Sequence, residues 1–315
     1  MPRKIGIIGV GHVGAHCAFS LCLQGICDEL LLVDIDEQKA KSEAIDLSDC
    51  CKYLPHRVRI LTGSCSDVAE CDIVVISVGV HKKSVGPHEM AGAEDIQQRS
   101  RLHGLQMKLG IMDDFIPQIL AAGFRGIFIV ISNPCDIVAY HIWKTTGYDR
   151  SKIFATGTML DSARFCRILS GATGYDPKSI VGFTMGEHGD SQIAVWSHVS
   201  LGGKPLEQLE TKLDKEAIIQ EVRRTAWNIA DGKGATEYGI STVLSKIVNA
   251  IYHDEKAVFP LSTLIQGQYG MKDLFISTPC ILGRNGIEQV MELDLPENEL
   301  RGFRNSCQTI KSYLQ

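Results

Sequence analysis

At 315 residues, the chain exceeds one ordinary hydrophobic core, which favours one large domain or two fused ones. An apolar share of 44% and a charged share of 22% are those of a soluble globular protein, and no apolar run reaches the roughly 18 residues of a membrane span. The net charge of −5 is spread without long blocks, so neither nucleic acid nor an anionic membrane is an expected partner.

In chain order, residues 4–10 read as a strand, 12–24 as a helix and 29–34 as a second strand. Residues 37–47 read as a helix, and 57–61, 72–78 and 126–131 as further strands. These strands are continuous Ile/Val/Leu runs, the pattern of strands buried on both faces of a parallel sheet. Alternation with helices gives right-handed crossovers, so residues 1–148 predict a Rossmann-type, doubly wound α/β sheet. Residues 80–93, with Gly86, Pro87 and Gly92, form a long connection before a helix starting near Glu94. Long loops at the carboxyl ends of parallel strands usually carry function. Residues 149–315 predict a mixed α+β substrate domain, the junction falling near 145–155. A strand pair is expected at 179–185 and 192–199, followed by a turn at Gly202-Gly203. Helices follow at 214–230 and 236–252, strands near 257–263 and 280–283, and a last helix at 297–313.

Eleven cysteines occur without a C-x-x-C or any Cys/His spacing suited to zinc. Cys17, Cys22, Cys71, Cys135 and Cys166 stand inside apolar stretches. Reduced, mostly structural thiols and no metal are expected. Met1–Lys4 leads straight into a strand-like run, so a cytoplasmic protein without a signal peptide is expected.

Gly9-Val10-Gly11-His12-Val13-Gly14 follows the first strand and opens the first helix. The first glycine makes the tight turn, the second admits a pyrophosphate to the backbone, and the third lets helix and strand pack closely. The helix N-terminus offers free N–H groups to the phosphates. Asp34 ends the second strand 20 residues after Gly14, where a carboxylate meets a ribose diol. Asp34 also repels a 2′-phosphate and Ile35 supplies no cation, so the expected cofactor is NAD rather than NADP. Val13, Lys39, Gly79, Ile131 and Asn133 complete the expected cofactor-binding set.

His188, in Gly186-Glu187-His188-Gly189-Asp190, is flanked by glycines that let the backbone come close and free the imidazole. An imidazole titrates nearest neutral pH, so it can both give and take a proton. His12, His16, His56 and His198 lack such a context and are read as structural. Asp161 and Arg164, three apart in Leu-Asp-Ser-Ala-Arg-Phe, share one face of a predicted helix. Their neighbours are apolar, so this face is expected to be covered rather than to carry a surface ion pair. Asp161 can then orient His188, and Arg164 can fork onto a carboxylate.

With Ile131-Ser132-Asn133-Pro134, these segments occur in one order behind the glycine fingerprint, and the chain resembles the lactate/malate dehydrogenase family over nearly its whole length. The resemblance implies a reversible, NADH-dependent reduction of a 2-oxo acid to the L-2-hydroxy acid. It implies His188 as acid/base, Asp161 as its partner, and Arg164 as anchor of the substrate carboxylate. It further implies that Asn133 hydrogen-bonds the substrate and that Thr236 lines its pocket. Gly234-Ala235-Thr236-Glu237-Tyr238-Gly239 and Gly123-Phe124-Arg125-Gly126 favour the branch that acts on L-lactate and L-2-hydroxyisocaproate. A malate dehydrogenase and a catalytically silent NAD-binding regulator are the alternatives. A homo-oligomer, dimer or tetramer, is implied as well.

Three departures matter. The family places its carbonyl-polarising arginine at the far end of a mobile loop, which is expected to close over the substrate. The stretch 80–100 is about twice the usual length, and both Arg99 and Arg101 end it. Counting back from Gly126 favours Arg101, followed by Leu102 and Leu105 at helical spacing. Malate dehydrogenases carry a second arginine six residues earlier, where this chain has Asp95, so a monocarboxylate is expected. Relatives activated by fructose 1,6-bisphosphate carry an Arg and a His where this chain has Cys166 and Val181, which predicts no such activation.

Overall fold

The computed structural model describes residues 2–79, 94–209 and 212–314, the side chains of 94–103 excepted. Strands β1 (Lys4–Ile8), β2 (Glu29–Val33), β3 (Arg59–Thr62), β4 (Ile73–Ile76), β5 (Ile127–Val130) and β6 (Ile153–Ala155) pair in parallel in the order β3-β2-β1-β4-β5-β6. The continuous apolar runs have the reason the sequence suggested. Ile5, Ile7, Leu30, Leu32, Ile73 and Val75 pack with Cys17, Ala18 and Leu21 of α1 (His12–Gln24) on one face. Val74, Ile76, Phe128 and Val130 pack on the other against α3 (Glu94–Ala121) and α4 (Cys135–Thr146). Helix α2 (Glu37–Cys51) starts on an Asp36 cap and runs a turn beyond the predicted 47. The strand order reverses between β1 and β4, which opens a crevice at their carboxyl ends.

In the second half, α5 (Met159–Thr173) precedes five two-residue strands, β7 (Ile180–Val181), β8 (Thr184–Met185), β9 (Ile193–Ala194), β10 (Ser200–Leu201) and β11 (Lys204–Pro205). Helices α6 (Lys215–Lys233) and α7 (Tyr238–Tyr252) follow. Then come β12 (Ala257–Gln266), β13 (Lys272–Gly283), β14 (Gly286–Val290) and α8 (Glu297–Tyr313). The last three strands form an antiparallel meander that joins the parallel sheet through the pair Ser262 and Ala155, giving nine strands in one sheet.

Five elements depart from the sequence expectation by omission: α4, which follows Pro134, the three-residue β6, β10 and β11 on either side of the Gly202-Gly203 turn, and β14. The expected strand pair at 179–185 and 192–199 is broken up. Thr184 pairs with Ala194, but β7 turns away to pair with β10. Gly182 separates them, and a Cβ there would lie 3.0 Å from the Phe165 ring. β13 begins eight residues before the expected 280, because residues 274–282 pair one for one with β12, and Lys272 pairs with Gln266 beyond a bulge at Asp273, φ +59°. Of the stretch 80–100, residues 94–100 belong to α3, while 80–93 lie outside the described residues. All eleven cysteines are free. Burial pushes the Cys17, Cys27 and Cys280 thiols up to about 12, which leaves them unreactive. No helix of the described residues is long and apolar enough to cross a membrane.

Candidate active site

The glycine turn occupies the crevice between β1 and β4. Gly9 has φ +89°, and a Cβ on it would sit 2.6 Å from the Ser77 carbonyl oxygen. A Cβ on Gly14 would sit 2.0 Å from the Gly9 carbonyl oxygen, so α1 can approach β1 this closely only with glycine there. Gly11 differs, because a Cβ on it would meet nothing within 4 Å. That opening lies at the start of α1, where no side chain caps the first turn and its N–H groups are free for an anion. Asp34 is held at the end of β2, accepting from the Val10 N–H at 2.8 Å and the Asp36 N–H at 3.0 Å. Each carboxylate oxygen keeps a lone pair for a diol. Ile35 beside it is fully exposed and brings no positive charge. An uncapped helix start, an open glycine and a fixed carboxylate fit a dinucleotide without a 2′-phosphate. Lys39 pairs with Glu43 at 3.1 Å, and its backbone N–H completes the Asp36 cap.

Helix α5 supplies the charged pair. Asp161 and Arg164 are both buried, and an Arg164 Nη1 donates to Asp161 Oδ1 at 2.8 Å. The other Asp161 oxygen, Oδ2, lies 2.6 Å from His188 Nδ1. Arg164 Nη2 also reaches Thr236 Oγ1, at 3.5 Å. Burial by itself would strip the His188 proton. The charge of Asp161 and its hydrogen bond reverse that, holding the imidazole above its usual range. For Asp161 burial pushes upward, and His188 with Arg164 bring the carboxyl below its usual range. The pair is therefore biased toward carboxylate and imidazolium.

Residues expected from both halves line one cleft of about 240 Å³. Val13, Gly79, Ile131 and Asn133 come from the cofactor half, and Arg164, His188 and Thr236 from the other. Asp161 lies behind them. Larger grooves lie elsewhere, one at the opposite end of the sheet beside Tyr252, but neither His188 nor the glycine turn lines them. The side chains of Arg99 and Arg101 lie outside the described residues.

Two residues near the site were missed. Lys108 of α3 lines the cleft, donates to the Asn133 carbonyl oxygen, and is lowered in pKa by burial. Asp136, fully buried in the first turn of α4, accepts the His188 backbone N–H at 2.9 Å. An aspartate within the apolar run Cys135–Ala139 was the available signal. Leu160, Ala226 and Ile240 add an apolar wall.

Residues 3–155 match the family model described as lactate/malate dehydrogenase, NAD binding domain. Residues 158–315 match the one described as lactate/malate dehydrogenase, alpha/beta C-terminal domain. The chain is 41% identical to an L-lactate dehydrogenase of Fusobacterium nucleatum, covering 99% of this chain and 96% of that protein. It is 40% identical to L-lactate dehydrogenase 3 of Bacillus cereus, covering 99% and 97%. The crystal structure of the minor L-lactate dehydrogenase of Enterococcus mundtii superposes with a TM-score of 0.91 at 33% identity, covering 99% and 97%.

Proposed function

We propose, from the premise that this chain belongs to the lactate/malate dehydrogenase family, that it is an NAD-dependent L-lactate dehydrogenase. It reduces pyruvate, and larger 2-oxo monocarboxylates in so far as the cleft admits them, to the L-2-hydroxy acid. The observation that carries this reading is the His188, Asp161 and Arg164 set, joined at 2.6 and 2.8 Å, in the cleft that Val13 and Gly79 also line.

Each residue has a defined task. Gly9, Gly11 and Gly14 with Asp34 hold the dinucleotide, assisted by Val13, Lys39, Gly79, Ile131 and Asn133. Bound there, NADH supplies the hydride. Arg164 grips the substrate carboxylate in a planar, two-bond match that a lysine lacks. Thr236, within reach of the same guanidinium, closes that side of the pocket. Protonated at Nε2, His188 gives its proton to the carbonyl oxygen, and Asp161 on Nδ1 keeps that nitrogen pointed at the substrate. Arg101 polarises the carbonyl. In its support, it stands seven residues before Lys108, two turns along the same helix, whereas Arg99 is out of phase with the cleft-lining residue.

The division of labour is residues 1–148 for the cofactor and 149–315 for the substrate. The protein works in the cytoplasm as a homo-oligomer, a tetramer or dimer. The eleven free thiols support the compartment. Exposed Phe19 and Leu23 of α1, Ile45 of α2, Tyr53 and Trp227 support self-association. Light scattering behind gel filtration reads the mass directly, and a single 34.6 kDa species rejects the oligomer.

NADH oxidation is followed with pyruvate, 2-oxoisocaproate and oxaloacetate. Pyruvate or 2-oxoisocaproate should be turned over far faster than oxaloacetate, and His188→Asn should lose orders of magnitude in kcat while still binding NADH. Preference for oxaloacetate would reinstate malate, and near-normal turnover in His188→Asn would reject the mechanism.

A further inference from the structure

The loop that carries His188 is tied down from three sides. Gly186 exchanges backbone hydrogen bonds with Ser277 of β13, and the Glu187 N–H donates to Ser306 Oγ of α8 at 2.8 Å. The third tie, and the one on His188 itself, is Asp136 Oδ2 of α4. Asp136 lies 52 residues away in the chain and is buried, with its other oxygen, Oδ1, lacking a hydrogen-bond partner. The hydroxyl of Ser262 on β12 lies close enough to ease ionisation of Asp136, though outside hydrogen-bond geometry. A carboxylate in so dry a place is costly unless a positive charge compensates it. The compensation is at hand in Arg164 and protonated His188. Asp136 and Asp161, with those two, sum to zero when the imidazole carries its proton and to −1 when it does not.

Building on the role of His188 given above, we propose that Asp136 is a positioning residue for the proton transfer, fixing the His188 peptide and supplying the second of two carboxylate charges that act on the imidazole. The groups acting on that imidazole are Asp136 from α4 and Asp161 and Arg164 from α5. Glu187 on the same loop acts on Asp136, and Lys108 of α3 lines the same cleft. Of these, Asp161 and Asp136 favour the charged ring and Arg164 opposes it. Burial pushes the Asp136 carboxyl up to about 6, against the pull of Ser262 and of the His188 peptide and charge. Asp136 therefore ionises by neutral pH, where the reaction is read.

Asp136→Asn separates the two parts of the role, because its amide oxygen still accepts the His188 N–H while the charge is gone. Reduction of pyruvate needs the protonated ring, so kcat/KM falls on the alkaline side as His188 loses its proton. The variant should move that limb to the acid side by about one pH unit, a roughly tenfold loss above it, with NADH affinity unchanged. The His188 ring signal, assigned by its absence in His188→Asn, should titrate earlier by the same interval without any substrate present. A kcat/KM lowered equally at all pH values, with the limb in place, would reduce Asp136 to a structural part and overturn the proposal. Ser262→Ala, which leaves Asp136 less able to ionise, should move the limb the same way by less. If Asp136→Asn fails to fold, an unmoved limb in Ser262→Ala overturns the proposal. A silent Asp136→Asn beside a dead His188→Asn refutes this role alone, whereas an active His188→Asn removes the reading beneath it.

Discussion

His188 Nδ1 and Asp161 Oδ2 stand 2.6 Å apart, though 27 residues separate them in the chain, and the second Asp161 oxygen holds Arg164 at 2.8 Å. One buried carboxylate thus sets both the direction of the proton donor and the direction of the substrate anchor. Because α5 presents Asp161 and Arg164 at i and i+3, the anchor and the donor share one rigid support.

Asp161→Asn keeps the shape and removes the charge. The ring loses the partner that fixes its tautomer, so kcat should fall roughly 10³–10⁴-fold by analogy with triad aspartates. Stopped-flow turnover with saturating pyruvate checks this, alongside fluorescence titration of NADH, which should be unaffected. A loss below tenfold would mean that Asp161 does not orient the donor.

Arg164→Lys retains the positive charge and loses the fork. Charged hydrogen bonds contribute about 1.5–3 kcal/mol, so loss of one raises KM for pyruvate by roughly 10–100-fold. The new ammonium also fits poorly against Asp161, so some loss of kcat should accompany it. An unchanged KM would place the carboxylate elsewhere.

The pH dependence has a defined sign. His188 is held above its usual range by Asp161, against the effect of burial, so its protonated form persists through neutrality. Pyruvate reduction, which consumes that proton, should stay level below the raised pKa and decline as pH climbs through it. Lactate oxidation, which needs the neutral ring, should rise over the same interval. Initial rates in both directions across pH 5 to 10 decide the matter, and a reduction rate that grows with pH would contradict the assignment.

Glycines of one fingerprint should fail in different ways. Gly14→Ala drives a methyl onto the Gly9 carbonyl oxygen, costing about 1–3 kcal/mol, so thermal unfolding should begin several degrees earlier. Gly11→Ala meets no protein atom within 4 Å, so its melting temperature should hold while NADH affinity drops. Equal melting losses in both variants would show that the Gly11 opening is not a binding surface.

Asp34→Asn should weaken NADH by roughly 5–10-fold, since a hydrogen bond to a charged group becomes a neutral one, and should narrow the preference over NADPH. Titration with both cofactors measures the ratio. A ratio identical to that of the original chain would take Asp34 out of cofactor selection.

Legibility in the sequence followed the range of the interaction. The glycine fingerprint, Asp34 and the glycine-flanked His188 are local patterns whose chemistry is carried by neighbours, and they were readable at once. The apolar surroundings of Leu160–Phe165 were enough to expect Asp161 and Arg164 on a covered face, and both are buried. Asp136 reaches His188 across 52 residues, and Lys108 reaches Asn133 across 25, so no window of sequence contains either contact. β6 has three residues and borrows its identity from the strands beside it. β7 to β11 have two residues each, below the length at which a period of two can be seen. The first half was legible because its central strands, β1, β4 and β5, are apolar runs alternating with helices. In the second half the three long helices and β12 were legible too, but the short strands were not, because they are defined by partners.

The pairing of Ser262 with Ala155 makes the antiparallel meander an extension of the parallel sheet that belongs to the NAD-binding family match, 3–155. A gene cut between 155 and 158, where the two family matches meet, would leave two raw borders, β6 on one fragment and β12 on the other. Such borders invite foreign strands. A chimera assembled from two relatives at that seam must therefore match backbone register and side-chain fit along it before any catalytic residue matters. The seam, and not the cleft, sets the terms on which the two halves can be inherited separately.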